Sequence, residues 1–274
     1  MVYGLLEELY SDYNRREYVS PDPLEFLYLY DSPADREVVG LIASSLAYGR
    51  VASILASVRR VLTVIGENPA DTLANADSDK LTERLHDFKH RFNDGLEVAR
   101  FLCGIGRAIA EHGSLERLFC SGMRDADRGP RRGGDGNDGR ADVLSAMDNF
   151  ASSILGYAGL ESSHLLPRAS KGSACKRLAL YVRWMARSDD VDPGGWSKVP
   201  PCDIIVPLDT HMFHIASGLG FTSRSSADGR AAQEATDAFR RLRPDDPVRY
   251  DFALTRFGIR TGMSVDDLLT RFAI

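Results

Sequence analysis

The stretch VPLDTHMFHIASGLG, residues 206–220, predicts the start of a helix and places the carboxylate of Asp209 at that start. Apolar residues at positions 212, 215, 216 and 219 fall on one face of a helix. Asp209 precedes this face, at the position where an aspartate side chain accepts a hydrogen bond from a free backbone N–H of the first turn. We therefore expect a helix over 210–219 that holds the Asp209 carboxylate in place.

The apolar spacing is helical in the rest of the chain as well, which predicts an all-α fold. Patterns typical of strands are nearly absent, and the best strand candidate is the run Ile204, Ile205 and Val206 just before Pro207. The predicted helices cover residues 3–14, 35–48, 51–66, 95–111, 141–157, 174–187, 210–219, 228–242, 247–257 and 264–272.

Two segments interrupt the helices. Residues 124–140, RDADRGPRRGGDGNDGR, contain too few apolar side chains to bury, so we expect a mobile surface loop there. Residues 188–203, SDDVDPGGWSKVPPCD, break the helical spacing with proline and glycine. They predict a long connection between two helices that pack together.

The composition restricts the class of function. A net charge of −5 argues against a protein that holds nucleic acid by bulk positive charge, although a local basic face can still bind DNA. No apolar run reaches the roughly 18 residues of a membrane helix, and the N-terminus does not resemble a signal peptide, so we expect a cytoplasmic protein without a membrane partner. The four cysteines match no metal-site spacing, which favours reduced thiols and no metal.

Lys176 and Asp209 lie on either side of the 188–203 connection, which can bring them together. Lys176 falls in the first turn of the predicted helix 174–187, where the helix dipole disfavours a proton on the amine and favours a nucleophile. Asp209 would then face a developing positive charge. From position alone, a surface lysine and a helix-capping aspartate are the alternative interpretations.

The segments around this pair resemble the helix-hairpin-helix DNA glycosylases of base-excision repair. VPLDTH at 206–211 is similar to the VP-x-D-x-H motif of those enzymes, and LPRASKGSA at 166–174 stands in place of their LPGxG hairpin. The pattern is closest to the archaeal 8-oxoguanine glycosylases, which also have a modified hairpin and a long connection. The resemblance implies a single two-lobed helical domain over 1–274, with the modified hairpin and catalytic segment at 165–220.

The same resemblance assigns roles to individual residues. Asp209 matches the catalytic aspartate, Lys176 takes the position of the nucleophile, and His211 matches the histidine that follows the aspartate. Lys171, inside the hairpin, is the rival nucleophile and a candidate DNA contact. Arg183, on the same helical face as Lys176, is a candidate phosphate contact, or else part of a solvated face.

Two further segments resemble these enzymes. LIASSLAYGRV at 41–51 is similar to a helix end from which side chains enter the DNA stack. Ala47 stands near the usual glutamine there, with Tyr48 as a candidate substrate contact and Arg50 as a candidate DNA contact. DPVRYDFALTRFG at 246–258 is similar to a purine-pocket helix, with Asp251 at the base-reading position. This segment and the DTH motif are also similar to an uncharacterised bacterial family of conserved hypothetical proteins.

The resemblance implies removal of an oxidised purine, with 8-oxoguanine foremost, from duplex DNA by a monomeric glycosylase and abasic-site lyase. The reaction would proceed through a lysine Schiff base and would need no cofactor. Two alternatives from other classes are a non-catalytic nucleic-acid-binding protein that keeps the fold, and a metal-dependent hydrolase around His211 and His214.

Overall fold

The computed structural model describes residues 2–123 and 143–272, and most of them lie in helices, which confirms the all-α class. The predicted loop at 124–140 lies outside the described residues. The α-helices of the described part are α1 (Val2–Tyr13), α2 (Pro33–Ser45), α3 (Val51–Ile65), α4 (Pro69–Ala74), α5 (Ser78–Arg84), α6 (Gly95–His112), α7 (Leu115–Ser121), α8 (Val143–Tyr157), α9 (Lys176–Ala186), α10 (Thr210–Gly218), α11 (Gly229–Leu242), α12 (Asp251–Ile259) and α13 (Val265–Phe272).

Shorter elements lie between these helices. Two antiparallel strands, β1 (Lys89–His90) and β2 (Asn93–Asp94), form a hairpin before α6, with His90 opposite Asn93. The 3-10 helices of the described residues are Arg16–Tyr18, Pro23–Leu29, Ala169–Lys171 and Pro201–Asp203.

Each predicted helix has a counterpart in the structure. The largest difference is at 247–257, where turns occupy the first residues and α12 begins only at Asp251. The helices α4, α5 and α7 were not predicted because six or seven residues are too few to display a helical apolar face.

The strand prediction at Ile204, Ile205 and Val206 is wrong. These residues are buried and lie outside any strand. The backbone N–H of Val206 donates to the Thr236 hydroxyl of α11 at 3.0 Å rather than to a neighbouring strand. An apolar run of this length therefore serves here as a buried extended segment that leads into α10.

Side-chain caps determine where several helices begin. The Asp94 carboxylate accepts from Glu97 N at 2.9 Å, and the Asp228 carboxylate accepts from Ala231 N at 2.9 Å. Each cap of this kind stabilises its helix by about 1 kcal/mol, because it satisfies a backbone donor that has no partner within the helix.

The longest helix, α6, packs closely against α4 and α8. A Cβ atom at Gly106 would overlap the carbonyl oxygen of Leu73 in α4. A Cβ atom at Gly104 would lie 2.6 Å from the Ile154 carbonyl oxygen in α8. Glycine is therefore required at both positions for the backbones to approach each other.

The packing of α9 against α2 positions the candidate site. A Cβ atom at Gly40 of α2 would lie 3.3 Å from the Tyr181 ring of α9, and that ring packs edge-on against Trp196 at 5.2 Å. Elsewhere α12 contacts α1, α10 and α13. In residues 2–123 and 143–272, no helix is long and apolar enough to cross a membrane.

Candidate functional site

A cavity of about 110 Å³ lies where α9, α12, the start of α10 and the N-terminal segments meet. Its wall is partly apolar, with Ile54 and Leu180 among the lining residues. The charged side chains that line it are Asp22, Lys176, Arg183, Asp209, Asp251 and Arg256.

Lys176 and Asp209 face each other on the cavity wall. The distance from Lys176 Nζ to Asp209 Oδ2 is 3.7 Å, and the two side chains are 31% and 19% exposed. Asp209 Oδ1 accepts a hydrogen bond from Met212 N at 2.8 Å, as expected of a helix cap. The aspartate therefore caps α10 with one oxygen and points the other at the lysine amine.

A sharp turn places Lys176 at the first position of α9. The preceding residue, Cys175, adopts a left-handed conformation with φ of 46°, which is unfavourable for a residue with a side chain. Its N–H donates to Ser173 Oγ at 3.1 Å, and its thiol donates to Pro167 O at 3.3 Å. Burial raises the pKa of the Cys175 thiol to about 11, so the residue supports the turn as a neutral thiol.

Asp251, at the first position of α12, presents a buried carboxylate with one unused oxygen. Its Oδ2 accepts a hydrogen bond from Arg183 Nη1, whereas its Oδ1 has no hydrogen-bond partner. The residue is only 3% exposed, and burial raises its pKa to about 6 in spite of Arg183, with Asp209 adding to the increase. An unpaired buried acceptor in a cavity wall favours a ligand that donates a hydrogen bond.

Arg183 is enclosed in an ionic network rather than exposed to solvent. It is 3% exposed and donates through Nε and Nη2 to Asp192 Oδ1 at 3.2 and 3.1 Å. Asp192 also pairs with Arg187, which donates through Nε to both oxygens of Asp246 at 3.1 and 3.0 Å. The structure therefore corrects both expectations for Arg183, contact with a phosphate and a place on a solvated face. Its guanidinium N–H groups donate to carboxylates inside the protein.

Two residues of this region, Asp192 and Asp22, were missed by the sequence analysis. Asp192, which is 0% exposed, lies in the 188–203 connection, whose composition gave no sign of burial. Asp22 caps a 3-10 helix, accepting from Leu24 N at 3.0 Å, and its Oδ2 lies 3.5 Å from Arg256 Nη2. Neither of these two stood near a motif that pointed to the cavity.

The remaining predicted site residues lie outside the cavity. Tyr48 donates its hydroxyl to His90 O at 3.2 Å and to Asn93 Oδ1, and the Arg177 guanidinium lies 4.6 Å from the centre of its ring. Tyr48 therefore lies outside the cavity, and a contact between it and a substrate stays a prediction. Arg50 is exposed immediately before α3, and Lys171 is exposed at the end of the 3-10 helix Ala169–Lys171.

His211 packs on the backbone of α12 instead of facing the cavity. A Cβ atom at Gly258 would overlap the His211 imidazole ring, so the ring lies directly against that glycine. His214 is exposed and its Nε2 lies 3.5 Å from Asp266 Oδ1. Among the described residues, no three His, Cys, Asp or Glu side chains are grouped closely enough to hold a metal ion.

Comparison with known proteins places the chain in a family. A family model described as a protein of unknown function (DUF2400) matches residues 22–260, a region that includes every residue lining the cavity. Searches of curated proteins and of solved structures found no match. Because the matched region covers well over half of its length, the chain belongs to the DUF2400 family of proteins of unknown function.

Proposed function

We propose that this protein is a DNA glycosylase and abasic-site lyase that removes an oxidised purine, with 8-oxoguanine as the proposed lesion. The observation that carries the proposal is the 3.7 Å approach of the Lys176 amine to the Asp209 carboxylate on the wall of one cavity. A Schiff-base glycosylase requires an amine and a carboxylate in one pocket, because one forms a bond while the other stabilises charge.

The proposed reaction begins with a nucleotide flipped out of the duplex, since the stack hides the glycosidic bond. The lone pair of the Lys176 amine forms a bond to the C1′ atom of the sugar. The C1′–N bond breaks, and its electron pair leaves with the base, which takes up the proton that the attacking nitrogen releases. The C1′–O4′ bond then breaks as the nitrogen lone pair forms the C1′=N bond of a protonated Schiff base, and O4′ takes up a proton from water. Loss of a C2′ proton to water finally expels the 3′ phosphate.

Asp209 and Asp251 have separate roles in this reaction. The Asp209 carboxylate, fixed by its cap to Met212 N, stabilises the positive charge that develops at the sugar and on the lysine nitrogen. Asp251 Oδ1, buried and unpaired, accepts a hydrogen bond from an N–H group of the purine. At neutral pH a carboxyl group with a pKa of about 6 is mostly ionised and is therefore an acceptor.

A two-lobed glycosylase-like arrangement with a DNA cleft belongs to the same proposal. The cavity is lined by Asp22, Ala47 and Ile54 from the N-terminal half and by α9, α12 and the start of α10 from the C-terminal half. Arg50 and Lys171 are exposed cations that would contact phosphates of a duplex across this cleft.

Borohydride trapping on duplexes that carry different lesions tests the proposal. Reduction converts the Schiff base into a stable amine, so the parent protein should become linked to a duplex containing the oxidised purine. The Lys176→Gln variant should trap nothing. Lys171→Gln tests the rival nucleophile; it loses only a phosphate contact, so it should still trap when the duplex is present at saturating concentration. Asp209→Asn keeps an oxygen for the cap and should lower the rate by about 100- to 1000-fold.

Two results would change the proposal. Trapping that is lost in Lys171→Gln and kept in Lys176→Gln would move the nucleophile into the hairpin. A parent protein that traps no duplex of a broad lesion panel would refute the enzyme, and the non-catalytic nucleic-acid-binding protein would then be the better description.

A further inference from the structure

An aromatic side chain stands exposed at the tip of the β1–β2 hairpin. Phe92 is 67% exposed, although large apolar side chains are ordinarily buried. The residue before it, Arg91, has a φ of 51°, a conformation that glycine adopts far more readily. The unfavourable backbone conformation at Arg91 holds the Phe92 ring in solvent, and backbone strain of this kind is concentrated at functional sites, which points to a function for the tip.

The base of this hairpin is held firmly. His90 and Asn93, the paired residues next to the tip, are 3% and 1% exposed. His90 Nδ1 lies 2.8 Å from Ser57 Oγ, and Asn93 Nδ2 donates to Glu97 Oε2 at 2.5 Å. Buried, bonded side chains at the base keep the exposed tip in one position.

The neighbours of Phe92 are those of a stacking site. Its ring is stacked on the exposed imidazole of His164, with the ring centres 5.0 Å apart and an angle of 29° between the planes. The Arg91 guanidinium lies 5.4 Å from the centre of the Phe92 ring. Exposed aromatic rings beside arginine are the groups on which nucleobases stack in nucleic-acid-binding proteins.

Contacts on two sides connect the tip with the cavity. The Arg91 side chain packs on Gly49, where a Cβ atom would lie 2.9 Å from Arg91 Cδ, and Ala47, two residues earlier, lines the cavity. On the other side, the His164 carbonyl oxygen accepts a hydrogen bond from Arg177, the residue that follows Lys176. The stacking site is therefore in contact with the two segments that contribute Ala47 and Lys176 to the cavity wall.

We infer that Phe92 is a nucleobase-stacking residue that contacts the DNA base next to the flipped nucleotide. This inference rests on the proposed function, because flipping leaves a gap in the stack that an inserted side chain has to fill. Resemblance pointed to residues 47–50 for this task, but the Tyr48 ring is packed under Arg177 and its hydroxyl is bonded to the hairpin. Phe92, by contrast, has an exposed ring at the tip of the hairpin to which Tyr48 is bonded.

Binding to a duplex that contains a tetrahydrofuran abasic analogue tests the inference without any need for catalysis. Fluorescence anisotropy should show that Phe92→Ala raises Kd by about 5- to 150-fold, the range expected for loss of one aromatic–base stack. Phe92→Trp should bind at the parent level, and Phe92→Leu should bind nearly as weakly as the alanine variant. Leu29→Ala, which removes another apolar side chain that is 71% exposed, is the matched control and should leave Kd unchanged.

The outcomes separate this inference from the proposed function. If the parent binds the duplex and Phe92→Ala or Phe92→Leu binds equally well, the stacking role is overturned while the proposed glycosylase stands. If the parent itself does not bind the abasic duplex at low salt, the proposed function and the stacking role are refuted together.

Discussion

Replacement of Asp251 by asparagine should change how the stability of the protein depends on pH. Burial raises the pKa of this carboxyl from 3.8 in the unfolded chain to about 6 in the folded protein. As pH rises between these values, the Asp251 carboxyl loses its proton in the unfolded chain but keeps it in the folded protein. This loss of a proton stabilises the unfolded chain relative to the folded protein. The contribution of Asp251 to folding is therefore complete below pH 3.8 and is lost as pH rises through 6.

The size of the effect follows from the same two values. They differ by about two pH units, and each unit corresponds to 1.36 kcal/mol, so Asp251 costs the folded state about 3 kcal/mol at neutral pH relative to acid pH. Asparagine has a similar shape and does not titrate. The free energy of unfolding of Asp251→Asn, measured relative to the parent, should thus increase by about 3 kcal/mol from acid to neutral pH.

Urea unfolding followed by circular dichroism at pH 4 and pH 7 measures this difference, and most of the change should develop between those two values. Asp189→Asn is a control of opposite sign. Burial raises the Asp189 pKa, but Arg187 and hydrogen bonds from the N–H groups of Asp192 and Val191 outweigh it and lower the pKa below 3.8. The stability that Asp189 contributes is therefore present above pH 3.8 and is lost as pH falls below it, so Asp189→Asn should lose more stability at pH 4 and pH 7 than at pH 2.

A difference between Asp251→Asn and the parent that stays constant with pH would refute this reasoning. A variant that loses more stability at pH 7 than at pH 4 would contradict it more strongly. Either result would mean that the Asp251 charge is compensated inside the protein, and its unpaired oxygen would then be no argument for a ligand.

Two other substitutions test the packing around the site. Asp192→Ala removes the carboxylate that two buried arginines share, and it should lower the free energy of unfolding by about 3–5 kcal/mol. Asp87→Ala is the control: it removes one partner of an exposed ion pair and should leave the urea midpoint nearly unchanged. Gly258→Ala should destabilise the protein by about 1–3 kcal/mol, because the new methyl group overlaps the His211 ring. In the same unfolding experiment, the double variant Gly258→Ala with His211→Ala should recover most of that loss.

The sequence predicted the helices well because their buried faces repeat with the helical period. The approach of Lys176 to Asp209 was expected from the resemblance to the glycosylases and from a connection that can bring the two residues together, and the structure places their side chains 3.7 Å apart. Their shared cavity could be expected on the same grounds.

The burial of Arg183 could not be predicted from its own surroundings. A charged residue on the same helical face as Lys176 has the pattern of a solvated surface, and its partners lie elsewhere in the chain. Asp192 comes from the connection after α9, and Asp251 is 68 residues away. The charge of a buried residue depends on such distant partners, which local spacing does not reveal.

The β1–β2 hairpin was missed for a related reason. Strands of two residues display no alternation. The hairpin is also hydrogen-bonded to Tyr48, Ser57 and Glu97, which lie outside the strands. Phe92 therefore read as one more apolar residue in an irregular stretch. Its exposure is visible only once the fold is known.

The most direct test of the central claim is to locate the covalent bond between protein and DNA. The parent protein is incubated with a duplex that contains 8-oxoguanine, reduced with borohydride, digested, and analysed by mass spectrometry for the peptide that carries the sugar. We predict that the modified residue is Lys176, the lysine that lies 3.7 Å from the Asp209 carboxylate. A modified Lys171, or no modified peptide from a protein that binds the duplex, would contradict that claim.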